Sequence, residues 1–148
     1  MGAEYQIQKA IFDKLMANVA LAALLAKSVV NKTKPAIYDN VPQVADSGKD
    51  ADFPYVTIGE DTAFDWDTGT SVGKEATLTI HSWSRDRGRK EVKEIQGAIY
   101  DALHLADLIV TGYTTVFIIS EFSETLSDPD GITRHGIQRF RLIIDKEE

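Results

Sequence analysis

The stretch from Gly73 to His104, GKEATLTIHSWSRDRGRKEVKEIQGAIYDALH, constrains the fold more than any other part of the chain. It changes from a two-residue to a 3.6-residue hydrophobic period across a short charged break. Ala76, Leu78 and Ile80 alternate with Glu75, Thr77 and Thr79, the pattern of a half-buried strand. Val92, Ile95, Ile99 and the Ala102–Leu103 pair then share one face of an amphipathic helix. A strand that feeds a helix able to fold back over it builds a core. No residue of this unit reads as catalytic.

The flanking segments extend the pattern. Ile7, Ile11 and Leu15 recur every four residues and predict a helix from Ala3 to about Asn18; Val19 to Leu25 either continues it or forms a second short helix. Ala36-Ile37-Tyr38 after Pro35 reads as an edge strand. Tyr55 to Asp61 reads as a strand with Val56 and Ile58 on one face. Segments 39–52 and 62–73 read as flexible loops. A long strand from about Thr115 to Leu126 and another from Thr133 to Ile144 flank Asp128-Pro129-Asp130-Gly131, which suits a type I turn. The expected fold is a single α+β domain over 1–148. It has an antiparallel β-sheet, two principal helices packed on one face, and a long C-terminal β-hairpin.

Several function classes are excluded by composition. The absence of cysteine removes disulfides, thiolate metal sites and a cysteine nucleophile. A net charge of −7 opposes general binding to nucleic acid, which needs cations to displace phosphate counterions. The longest apolar run, Val19 to Ala26, is far short of the ~20 residues of a membrane span. Lys14 followed by LMANVALAALLA has the outline of a secretory signal, but Glu4 and Asp13 sit in or beside its would-be positive region, so no leader is expected.

The three histidines, His81, His104 and His135, show no close ligand spacing, and no metal or cofactor site is expected. His104, at a helix C-terminus, suits a cation facing the helix dipole. Asp65, Asp67, Asp128 and Asp130 lack the spacing of a calcium loop, and turn chemistry accounts for the last two. There is no GxSxG, Walker A or GxGxxG motif, so no nucleophile or phosphate cradle is read. A small metal-dependent hydrolase using His81 or His135 would lack a ligand set.

Charge distribution says more. From Asp39 to Asp67 eight acids face one base, Lys49, whereas Arg85, Arg87, Arg89, Lys90 and Lys93 face only Asp86 and Glu91. These cations precede a helix, where they oppose the macrodipole. They are solvated charge, partners of the acidic segment within the chain, or one half of a contact between subunits. In that last case two unlike patches meet head to tail and close a ring.

The run from FPYVTIGEDT through DWDTGTSVGKEATLTIHSWSRDRGRKEVKEIQGAIYDALH to EFSETLSDPDGITRHGIQRFRLII resembles small tail-completion proteins of long-tailed phages and prophages, a family that includes tail terminators. The resemblance is most specific from Phe53 to Leu142. It implies an antiparallel sheet with flanking helices and a structural role without catalysis. It further implies a homo-oligomer, a hexameric ring capping the tail tube, with the tail tube protein and a head-side connector or stopper as partners. DNA would pass through without being specifically bound, no membrane would be involved, and the protein would assemble in the host cytoplasm and reside in the virion at the head–tail joint. Extended loops make the tube contacts in the family, and the matching loop is Phe64 to Val72. Asp65, Trp66 and Asp67 together with Arg85, Arg87, Arg89 and Lys90 are therefore the candidate subunit or tube interface. A transient assembly adaptor or chaperone is the alternative.

Overall fold

The computed structural model describes residues 2–26, 34–39 and 53–147. At its centre is a long strand, β3 (Gly73–Ser84), in which Ala76, Leu78, Ile80, Ser82 and Ser84 are buried and the intervening residues half-buried. Around it stand β1 (Ile37–Tyr38), β2 (Tyr55–Asp65), β4 (Tyr113–Ser127) and β5 (Arg134–Lys146), in the order β1-β2-β3-β5-β4. All pairs are antiparallel except β1 with β2, where Ile37 stands beside Val56 in a parallel pair. The edge strand predicted around Ile37 is thus present, but it runs parallel to its neighbour.

The helices cover one face of the sheet: α1 (Ala3–Met16), α2 (Val19–Leu25) and α3 (Lys90–Leu103). From α1, Ile7, Ile11 and Leu15 meet Ile95, Ile99 and Leu103 of α3 over Leu78, Ile80, Phe140, Leu142 and Ile144 of the sheet. Asn18 separates α1 from α2. Its backbone is extended and its side-chain oxygen accepts a hydrogen bond from the Leu21 amide at 2.8 Å, a helix cap that starts a new helix.

β2 runs on to Asp65, four residues into the segment read as a loop. A one-residue bulge lies between Ile58, opposite Ile80, and Asp61, opposite Leu78, and the ladder then continues to Asp65 opposite Lys74. The bulge shifts the alternation, and from Glu60 onward no residue of β2 is buried. The outer part of the β2–β3 hairpin, an arm, thus exposes its β2 strand while its β3 strand stays paired with β5 as far as Gly73, and only 66–72 forms the turn. The predicted loop at 39–52 lies, apart from Asp39, outside the described residues.

At the other hairpin, the Gly131 amide donates to the Asp128 carbonyl at 3.0 Å, closing the turn, and Gly131 has φ +71°. His104 caps α3, but its Nδ1 accepts from the Ser120 amide at 3.0 Å, so that nitrogen carries no proton. The cationic role expected at the dipole gives way to a neutral acceptor that joins the helix end to β4. Phe140 is fully buried at the centre of the core, whereas Val116 at a β4 bulge is half exposed. Phe140→Ala is expected to lower unfolding free energy by about 3–5 kcal/mol and Val116→Ala by under about 0.5 kcal/mol, as measured by urea denaturation.

Candidate functional site

The residues that sequence singled out gather at opposite ends of β3. Its twelve residues span eleven rises of about 3.3 Å, which separate the two groups by roughly 36 Å. At one end is the tip of the β2–β3 arm. At the other are the β3–α3 join and the Asp128–Gly131 turn. Pairing within one chain between the Arg85–Lys90 cations and the acids at the arm tip is therefore ruled out by distance.

The join is fixed by buried polar contacts. The Ser84 hydroxyl donates to the Glu91 carboxylate at 2.7 Å, and the Asp86 amide donates to the Ser84 oxygen at 3.1 Å. Glu91 sits in the first turn of α3 and is nearly buried, so a carboxylate faces the positive end of the helix and offsets the surrounding cations. Arg85 lies within the fold. Its guanidinium stacks over Phe53 at 4.4 Å, Nε donates to the Thr133 hydroxyl at 3.1 Å, and Asp130 stands 3.9 Å away. Arg89 reaches the Ser127 hydroxyl at 3.3 Å, and Arg134 donates to the Arg87 carbonyl at 2.9 Å. Lys90 is 88% exposed and 3.9 Å from Glu94, a contact worth little. The Arg87 guanidinium has no partner among the described residues, and Arg87 is exposed. Of the four cations, Arg87, Arg89 and Lys90 are exposed and Arg85 is half-buried.

The arm tip is ordered by its own turn. The Trp66 amide donates to the Gly73 carbonyl at 2.9 Å, and the Gly73 amide to the Asp67 carboxylate at 3.2 Å. The Thr68 and Ser71 hydroxyls meet at 2.9 Å across the bend. A Cβ on Gly73 would come within 2.8 Å of the Trp66 and Ile144 carbonyl oxygens, so only glycine fits. The Lys74 ammonium donates to Asp65, which raises the lysine's pKa. Phe64 is 68% exposed, Val72 51% and Trp66 36%, so the tip presents a small apolar group between carboxylates. Sequence reading named Trp66 among the candidate interface residues and gave Phe64 and Val72 as the bounds of the matching loop.

His81 and His135, which show no close ligand spacing in sequence, meet on the sheet face that no helix covers. Among the described residues, no three His, Asp or Glu side chains converge as a metal site.

A family model described as tail completion protein gp17 matches residues 9–145. The chain belongs to this family. The match begins within α1, so the N-terminal helix is part of the family domain even though the resemblance read from sequence was most specific from Phe53 onward. The tail completion protein gp17 of Bacillus phage SPP1 is 32% identical over 129 residues, covering 86% of this chain and 96% of its own. A chain from a structure titled virion of native gene transfer agent particle shares the fold, with a TM-score of 0.80 and 24% identity over 97% of this chain and 98% of that one. The structure of bacteriophage SPP1 gp17 matches with a TM-score of 0.55 and 27% identity, covering 95% and 89%. This tail completion protein is accordingly a structural, non-enzymatic component of the virion tail.

The Asp128–Gly131 turn carries a specific acid response. Asp130 accepts hydrogen bonds from the Ile132 and Thr133 amides, each at 2.8 Å, and from the Thr133 hydroxyl at 2.7 Å. These bonds favour the carboxylate and lower its pKa from 3.8 to about 2. Because the folded value is depressed, the contribution is complete above 3.8 and is lost as pH falls toward about 2. The Ile132 and Thr133 amide chemical shifts are expected to titrate with a midpoint near 2. A midpoint at the ordinary carboxyl value would show that the turn is open in solution.

Proposed function

We propose that this tail completion protein closes the tail as a ring, caps the tail tube and joins it to the head-side connector. The observation that carries the reading is the placement of two unlike charged patches at opposite ends of one rigid strand. A patch of this kind is not self-complementary, so copies meet head to tail, and head-to-tail contacts close into rings when the rotation permits. The resemblance implies six copies. Arg87 and Lys90 at the join face outward, and Asp61 and Asp67 on the arm are exposed. Their meeting across a subunit boundary orients the contact, with charge supplying direction and rate more than affinity.

The apolar tip formed by Phe64, Trp66 and Val72 is the surface we assign to the tube protein. Aromatic side chains on an exposed hairpin supply large contact area and little conformational cost. The surplus of acid over base in the chain repels the DNA backbone, so DNA is not held as it passes.

Arg87→Glu with Arg89→Glu is expected to leave the fold intact and lower the particle mass in solution, as read by light scattering. Adding Asp61→Lys and Asp67→Lys restores opposite charges and is expected to recover assembly. Unchanged mass in the first variant overturns the charge contact. Trp66→Ala is expected to preserve the oligomer and abolish co-sedimentation with tail tubes; retained co-sedimentation moves the tube contact elsewhere.

A further inference from the structure

Four ionisable side chains form a row across the uncovered face of the sheet. Glu60 leaves the β2 bulge, His81 stands on β3, His135 on β5, and Asp128 at the turn after β4. The Glu60 carboxylate is 2.8 Å from His81 Nε2, His81 Nδ1 is 2.7 Å from His135 Nε2, and His135 Nδ1 is 3.8 Å from the Asp128 carboxylate. Trp83 stacks on His135 with centroids 3.7 Å apart and planes within 11°. Tyr55 stacks in turn on Trp83 at 6.1 Å. The imidazole side chains are only 15% and 13% exposed. Gly59 provides the floor, since a Cβ there would lie 3.0 Å from the His81 ring.

Counting protons on this geometry separates its states. A pair of neutral imidazoles satisfies the row when His81 donates from Nε2 to Glu60 and His135 donates from Nε2 to His81. One further proton is also accommodated: His81 then donates from both nitrogens, and His135 turns its Nδ1–H toward Asp128. A second places two N–H groups head to head across 2.7 Å, and the central hydrogen bond cannot survive.

We propose that Glu60, His81, His135 and Asp128 form a proton-operated latch across the open sheet face, closed with at most one added proton on the imidazole pair and opened by the second. Opening breaks the His81–His135 bond and loosens His135 beside the turn, while His81 keeps its Nε2–H on Glu60. The latch thereby couples mild acid to the Asp128–Gly131 turn beside the basic join. It rests on side-chain geometry and stands whether or not the assembly contact assigned above does.

The surroundings oppose the second proton on balance. Burial, and then the neighbouring His81, lower the His135 pKa, while the carboxylates of Asp128, Glu60 and Glu124 act in the other direction. Glu60 is itself held below its ordinary pKa, first by the His81 hydrogen bond, and so remains ionised. The neighbouring Arg134 directs its guanidinium at the Gly131 and Arg87 carbonyls. For His135 the unfolded chain takes up a proton near 6.5 while the folded chain resists it. Its stabilisation is full above that pH and is lost as pH falls toward the folded value.

The test is urea denaturation of the full chain between about pH 8 and pH 5, wild type against His135→Gln, paired with imidazole ¹⁵N spectra of the wild type. Glutamine keeps a hydrogen-bonding amide beside His81 but does not titrate. The expected result is a wild-type midpoint that falls below pH 6.5 more steeply than the variant's, with His135 still neutral where a free histidine is half protonated. Parallel midpoint curves, or two imidazoles that titrate independently at the ordinary value, overturn the latch. Where His135→Gln does not fold, the ¹⁵N titration of the wild type decides alone.

Discussion

The register between β3 and β5 is the constraint on which everything else rests. The pairing is unbroken from Gly73 opposite Asp145 to Ser84 opposite Arg134. It sends Ala76, Leu78, Ile80, Phe140, Leu142 and Ile144 to the helix side in one step. A slip of one residue would turn the slipped strand's apolar set to solvent and drive its polar set, His81 from β3 or Arg139 and Arg141 from β5, into the core. The same register sets His81 diagonally from His135, and it places the turn beside the basic join. Core, open face and interface candidates follow from a single alignment of two strands.

The face opposite the helices is half-buried and electrically self-compensated. Arg141 pairs with Glu75 at 2.9 Å and packs over Phe117; Arg139 pairs with Glu121 at 2.9 Å and packs over Phe122. Each guanidinium thus has a carboxylate partner and an aromatic ring nearby, which covers apolar surface without a second layer of structure. At the join, by contrast, Arg87 and Lys90 stand exposed, as Asp61 and Asp67 do on the arm. That division separates a face held together by its own side chains from two ends available to other molecules.

Much of the fold could be read from the chain because hydrophobic period is a local property. Ala76-Leu78-Ile80, the α3 face and the Asp128–Gly131 turn each announce their structure within about ten residues. The arm could not be read this way. The Gly59–Glu60 bulge shifts the alternation, and beyond it the strand leaves the core, so Thr62 to Asp65 look like loop while remaining paired. The division of the N-terminal segment into two helices depended on one side-chain bond from Asn18. The role of His104 depended on Ser120, sixteen residues away. At the site, sequence identified the cations but could not distinguish Arg85, bound to Phe53 and Thr133, from Arg87, which faces outward.

The strand–helix unit from Gly73 to His104 was determined by sequence alone, since its two periods leave one way to bury the apolar residues. Sequence also determined the acidic balance and the lack of cysteine chemistry. Tertiary structure decided where the charges stand. A join of five residues and a bulged arm fall at opposite ends of β3 because an extended strand converts sequence separation into distance at about 3.3 Å per residue. The same pairing brings His81 and His135, fifty-four residues apart, within 2.7 Å. Pairing between distant strands creates that proximity, and no local pattern in either strand encodes it.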